Sequence, residues 1–193
     1  ILSQGDISCV STHATKIFNT GEGGGIISNN EKLNKEIKAL RFFGFDDNKE
    51  VVRNGINAKM SELHAALGIA NLRNFNNTLN HRKRVNEIYR NELDKCKDLT
   101  FQKIDKGSNC SYFPVILDDR KACMKLIDIL SKNNIYPRRY FHPSLNKIKA
   151  ISTSQKCPNS ESISERILCL PSHNKVSLDD TRFISNIIKN IYS

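Results

Sequence analysis

Four of the chain's nine glycines fall within five consecutive positions, Gly21-Glu22-Gly23-Gly24-Gly25. Glycine has no Cβ, so such a run permits a sharp reversal and close backbone approach that other residues resist. The run lies between two short apolar stretches, Ile7-Ser8-Cys9-Val10 and Gly24-Gly25-Ile26-Ile27-Ser28, each read as a strand. The segment that connects them carries Ser11-Thr12-His13-Ala14-Thr15-Lys16 and then Thr20. The expectation is a strand, a short loop bearing a lysine, a glycine turn that lets that loop pack tightly, and a second strand. The glycine spacing is that of neither a P-loop nor a dinucleotide fingerprint.

The remainder alternates helix and strand patterns. Asn30 is placed to cap a helix from Glu31 to about Phe42, with Leu33, Ile37 and Leu40 on one face. Residues 44–55 read as a loop. Ser61 starts, or lies early in, a helix whose Met60, Leu63, Ala66, Leu67 and Ala70 recur at helical spacing, and a longer helix follows over 77–95 with Leu79, Ile88 and Leu93 in its stripe. Strands are expected at 99–102, 112–117, 135–141 and 167–170, and helices at 120–133, 160–166 and 178–191; residues 152–160 read as a polar loop. The predicted organisation is three parts: 1–76, 77–97 as a connecting helix, and 98–193 as a small α/β domain.

Composition limits the function classes. With 193 residues, 38% apolar and 26% charged, the chain can bury a core. No apolar run approaches the roughly 20 residues of a membrane helix, so no membrane partner is expected. Six cysteines lie without a CxxC pair, which argues against a zinc ribbon or thioredoxin-type site; no metal is expected, and free thiols in a reducing cytoplasm are. Thirty basic against twenty acidic residues give a formal net charge of +10. The positives are spread out, with local density at His81-Arg82-Lys83-Arg84 and Arg138-Arg139, and no nucleic-acid-binding motif accompanies them. A solvated basic surface, part of which attracts an anionic substrate such as a diphosphate, is expected in place of a nucleic-acid ligand.

Lys16 is the candidate catalytic residue. A lysine amine becomes a nucleophile when deprotonated beside a carbonyl, with which it forms a Schiff base. Two segments give it context. Ser11, His13, Lys16, Thr20, Glu22, Gly23 and Gly24 match the run Ser-Phe-His-x-x-Lys then Thr-x-Glu-Gly-Gly, and Gly55, Asn57, Met60, Glu62, Ala65, Ala66 and Gly68 match Gly-x-Asn-x-Arg-Met followed by a helix carrying Ala-Ala. Together these resemble the DegT/DnrJ family of sugar-nucleotide aminotransferases, which use pyridoxal 5'-phosphate (PLP). Thr12 stands where that run has Phe, which alters the packing beneath the cofactor, and Lys59 stands where Arg is frequent.

The resemblance covers almost the whole chain, as the C-terminal half of a family member. It implies an α/β fold: the C-terminal portion of a fold-type I PLP aminotransferase, with a remnant of the large domain and the small domain. It implies that Lys16 holds the cofactor and moves protons, that Ser11 binds its phosphate, that His13 lies on the lysine side of the ring, and that Asn57 reaches the phosphate of the other subunit in a homodimer with shared sites. Glu22 has no role assigned. The segment Tyr136-Pro137-Arg138-Arg139-Tyr140-Phe141-His142-Pro143 resembles the one that approaches the sugar nucleotide. There Arg138 or Arg139 would pair with phosphate or with the amino-donor carboxylate, and Tyr140 or His142 would contact the sugar. The wording Asn57-Ala58-Lys59-Met60-Ser61-Glu62 is similar to a subgroup that aminates C4 of nucleotide-linked keto-deoxysugars, such as dTDP-4-keto-6-deoxyglucose, for polysaccharide or glycoconjugate synthesis, with glutamate as donor.

Family members are roughly twice this long. The Asp that pairs with the pyridine nitrogen and the aromatic that stacks on the ring have no counterpart in residues 1–15. The chain is therefore expected to be a fragment, without transaminase activity by itself, whose first 75 or so residues expose apolar surface. A non-catalytic remnant or dimer partner is the alternative, and a basic nucleic-acid-binding domain a weaker one.

Overall fold

The computed structural model describes residues 2, 4–105, 107–151 and 155–192. It divides into two units, Ile1–Asn76 and Asn77–Ser193.

In the first unit β1 (Ser8–Ser11) pairs antiparallel with β2 (Gly24–Ile27), Ser8 opposite Ile27 and Ser11 opposite Gly24. Gly24 must be small here, because a Cβ would come 2.7 Å from the Val10 carbonyl oxygen. Helix α1 (Glu31–Leu40) starts at Asn30, whose side chain accepts from the Lys32 and Leu33 amides. This satisfies two of the four donors that a helix start leaves free. After α1 the chain doubles back over 42–57, with Phe42 bridged to Asn57 and Phe45 to Val51. Gly44, at φ +83°, and Gly55 meet so closely that a Cβ on either would overlap backbone atoms at about 2 Å. Helix α2 (Glu62–Arg73) is capped by Ser61, which accepts from the His64 amide. Its one buried residue is Gly68, whereas Leu63, Ile69 and Leu72 are 83%, 57% and 61% exposed.

Helix α3 (Phe75–Leu93) runs across the boundary and supplies Val85, Tyr89 and Leu93 to the core of the second unit. These three, at i, i+4 and i+8, form the buried stripe; of the expected Leu79, Ile88 and Leu93, only Leu93 is fully buried. A three-stranded antiparallel sheet has the order β3 (Thr100–Phe101), β4 (Phe113–Ile116), β5 (Ile167–Leu170). Phe113 and Val115 of β4 point into the core, Pro114 and Ile116 away from it, the period-two pattern of a sheet covered on one face. Helices α4 (Arg120–Lys132) and α6 (Leu178–Tyr192) complete the core with Leu126, Leu130, Ile184 and Ile188. Tyr89 lies fully buried, its ring tilted against Phe113 with centroids 4.8 Å apart, and donates its hydroxyl to the Pro171 carbonyl at 2.9 Å.

One expected strand is absent among the described residues. Over 135–141 only Arg138 pairs, as a single antiparallel bridge with Cys169. Pro137 has no N–H to extend a ladder, and the Tyr140 amide turns back to the Arg138 carbonyl at 3.1 Å. Helix α5 (Pro158–Arg166) begins within the span expected as a loop over 152–160, with Pro at its first position, where the missing N–H costs nothing; residues 152–154 of that span lie outside the described residues.

Candidate functional site

The lysine loop of the first unit is held at both ends. The Thr12 amide donates to the Gly23 carbonyl at 3.0 Å and the Thr20 amide to the Thr12 carbonyl at 2.8 Å. The two buried hydroxyls of Thr12 and Thr20 bond at 2.7 Å, and Thr20 Oγ1 also donates to the Glu22 carbonyl at 2.8 Å. A Cβ on Gly23, at φ +146°, would meet Thr20 Oγ1 and the Met60 methyl at 2.7 Å, so only glycine closes this turn. The loop is also docked on α2. Asn71 Nδ2 donates to the Asn19 carbonyl at 2.9 Å, and Gly68 leaves room for the Thr20 methyl, which would lie 2.7 Å from an added Cβ.

Lys16 sits on this closed loop, its amide bonded to the His13 carbonyl at 2.9 Å and its residue exposed. Among the described residues no carboxylate pairs with its amine. His13 Nδ1 accepts from the Thr15 amide at 3.2 Å, which leaves Nε2 to carry the proton toward Glu22 Oε1 at 3.5 Å. The Ser11 hydroxyl accepts from the His13 amide at 3.4 Å. Ser11, His13 and Lys16 are thus brought together on one exposed edge. Asn57 is exposed on the 42–57 return, where its neighbours Ile56 and Ala58 donate their amides to Leu40 and Arg41 carbonyls. Lys59 lies over the rings of Phe42 and Phe43, 4.7 and 5.0 Å from their centroids.

In the second unit the four expected substrate residues divide. Arg139 Nη2 donates to the Ser164 and Glu165 carbonyls at 2.9 and 2.7 Å, and His142 Nδ1 lies 3.1 Å from the same Ser164 carbonyl. Both side chains therefore serve the last carbonyls of α5, which a helix leaves without partners and which favour positive charge. Arg138 and Tyr140 turn elsewhere, Arg138 Nη1 donating to the Tyr140 hydroxyl at 3.2 Å. Tyr140 stacks on Phe141 at 4.6 Å and meets Tyr112 edge-on at 5.3 Å. Beside Phe141 and His142 an open, mainly apolar cavity of about 670 Å³ is bounded by Leu145, Ile148, Ile163 and Ile167. Burial pushes the Cys169 thiol up to about 11 and the Cys123 thiol upward, so neither is a thiolate at neutral pH. Arg82 Nη1 donates to the Ser111 carbonyl at 3.0 Å; Arg82 was visible in sequence only as one of a run of cations.

All six cysteines are free, no described helix is long and apolar enough to cross a membrane, and no cluster of metal-ligating side chains occurs among the described residues.

Residues 2–189 match the sequence profile of the DegT/DnrJ/EryC1/StrS aminotransferase family. The chain is 35% identical over 201 aligned positions to a dTDP-4-amino-4,6-dideoxy-D-glucose transaminase of Shigella dysenteriae, covering 99% of this chain and 54% of the relative. It is 27% identical to a UDP-4-amino-4,6-dideoxy-N-acetyl-beta-L-altrosamine transaminase of Campylobacter jejuni, covering 98% and 53%. The crystal structure of DesI with its TDP-sugar product superposes with a TM-score of 0.87 at 28% identity, over 98% of this chain and 50% of that one. The chain thus spans about half the length of the curated relatives it matches.

Proposed function

The chain belongs to the DegT/DnrJ/EryC1/StrS aminotransferase family, and from that premise we propose that the protein transfers an amino group to a nucleotide-linked keto-deoxysugar, with glutamate as donor. Its fold is part of a fold-type I aminotransferase, and the cofactor of this family is PLP. The observation that carries the reading is the exposed Lys16, without a carboxylate partner among the described residues, on a loop closed by Thr12, Thr20 and Gly23. A covalent anchor for an aldehyde must be reachable, free of a carboxylate partner and fixed at its backbone, and Lys16 meets all three requirements.

When bound, PLP supplies an electron sink for the carbanion formed at the amino-bearing carbon. The chain's own residues would then divide the work. Lys16 would hold the cofactor and, once released, carry a proton at its Nζ. The Ser11 hydroxyl would donate to the cofactor phosphate, and His13, with its proton on Nε2, would present that N–H beside the ring. Asn57, whose side chain has no partner among the described residues, would serve the site of a second subunit in a homodimer. Arg138 and Tyr140, clear of the α5 end, are the side chains of their segment best placed to meet substrate. Arg139 and His142 would contribute through the position of that segment unless they leave the α5 carbonyls. The dTDP- and UDP-linked sugars named for the relatives suggest a nucleoside-diphosphate sugar as substrate, and six free thiols suit a cytoplasmic setting.

Borohydride reduction of the protein purified from cells that make it, followed by peptide mass mapping, tests the reading. A reduced pyridoxyl group on Lys16 is expected. Its appearance on another lysine, or on none, overturns the assignment.

A further inference from the structure

Lys16 lies midway between the backbone ties at Thr12 and Thr20, so those ties close its loop without fixing the direction in which its side chain leaves. That direction is set by the two peptide planes that flank its Cα. Both planes are held. The Lys16 amide donates to the His13 carbonyl at 2.9 Å, and the Lys16 carbonyl accepts from Asn19 Nδ2 at 3.3 Å.

The Asn19 carboxamide is held in turn. Its Oδ1 accepts from the Gly21 amide at 3.4 Å and from Asn71 Nδ2 at 3.3 Å, and the same Asn71 Nδ2 donates to the Asn19 backbone carbonyl at 2.9 Å. One carboxamide nitrogen carries two N–H donors, so Asn71 can serve both oxygens at once. With Oδ1 claimed from two sides, Nδ2 is left to face Lys16, and turning the Asn19 carboxamide over would forfeit both bonds to Oδ1 and the bond to Lys16. Asn71 stands on α2, so the relay runs from a helix, through one side chain, to the backbone of the lysine. Phe18 meets Phe75 edge-on at 6.4 Å and so helps to seat the loop. Asn19 and Asn71 are both half-buried, which shields their bonds in part from water. Both are amides. An amide orients the lysine backbone without setting a negative charge beside the amine, where a carboxylate would favour the protonated, non-nucleophilic form.

We propose that Asn71 and Asn19 are positioning residues for Lys16: Asn71 orients Asn19, and Asn19 fixes the peptide plane from which the lysine arm is aimed. This rests on the reading of Lys16 as the cofactor anchor.

The test compares the parent chain with Asn71→Leu, Asn19→Ala and Asn71→Gln, each purified from cells that make it. Amide order parameters at Lys16 and Asn19 are measured by NMR on the cofactor-free protein, together with the urea midpoint. The fraction of Lys16 that carries a pyridoxyl group after borohydride reduction is measured at equal folded fraction. In Asn71→Leu and Asn19→Ala the order parameters should fall from about 0.85 to below about 0.6, and the pyridoxyl fraction about tenfold. Asn71→Gln, which keeps the donor on a longer arm, should restore much of both. Asn71→Leu also strips the Asn19 carbonyl of its donor and lowers the urea midpoint. Asn19→Ala is the independent check, because it keeps the bond from Asn71 to the backbone carbonyl of residue 19 and cuts only the link to Lys16 and Gly21. An undiminished pyridoxyl fraction in Asn19→Ala overturns the positioning role, even where the loop loosens. Order parameters unchanged in both variants overturn it as well, and an Asn71→Gln variant no better than Asn71→Leu removes Asn71 from it. A parent chain without the adduct overturns the Lys16 assignment and the positioning role together; a parent chain with it, and variants that carry as much, overturn the positioning role alone.

Discussion

Three donors converge on the Glu161 carboxylate: the Cys157 amide at 2.9 Å, Asn146 Nδ2 at 2.7 Å and Lys147 Nζ at 3.0 Å. The Cys157 amide, then Asn146 and Lys147, pull its pKa down to about 2 from an ordinary 4.5. Because the folded value lies below the unfolded one, the stabilisation is present above pH 4.5 and is lost as pH falls toward about 2. Glu161→Gln should flatten the loss of urea stability across that window, and a variant with the unaltered acid profile would show that the three bonds do not hold the carboxylate. Residue identities in this region were legible in sequence, but their commitments were not. Arg139 and His142 read as substrate groups because their segment resembles the one that approaches the sugar nucleotide in the family. The carbonyls that claim them belong to Ser164, more than twenty residues on, and became acceptors only because α5 stops there.

At the scale of elements, helix starts were the most legible features, since Asn30 and Ser61 act through amides two or three residues away. The strand over 135–141 was misread because its apolar and aromatic residues suit a strand while its hydrogen bonds do not continue past Arg138. Gly68 was legible only as part of the motif that follows Asn57, and nothing local in sequence says that its neighbour is Thr20 of the lysine loop. Gly68→Ala should force the Thr20 methyl away and cost about 1–3 kcal/mol. Hydrogen exchange at the Thr20 amide, which bonds the Thr12 carbonyl, should accelerate together with the fall in stability. Unchanged protection at Thr20 would mean that α2 does not hold the loop.

For the whole molecule, apolar side chains are unevenly used. The second unit buries a continuous core, whereas the first exposes Val51, Ile56, Leu63, Ile69 and Leu72 by more than half. The family resemblance, and not the apolar patterning, pointed to that surface, because the sequence places only one helical stripe, Leu63, Ala66, Leu67 and Ala70, on α2. The double variant Leu63→Lys, Leu72→Lys should reduce binding of a hydrophobic dye and self-association by this chain while leaving its urea midpoint unchanged, since neither side chain is buried here. A lowered midpoint would show that these leucines stabilise the fold. The closed lysine loop has a consequence in time. With its backbone tied at Thr12, Thr20 and Gly23, a Lys16 amine that attaches and lets go moves by turning its own side-chain bonds, in picoseconds to nanoseconds, without waiting the nanoseconds to microseconds that loop opening takes. If Lys16 is the anchor proposed above, the travel of its arm, as distinct from the making and breaking of its bond, would not limit the rate.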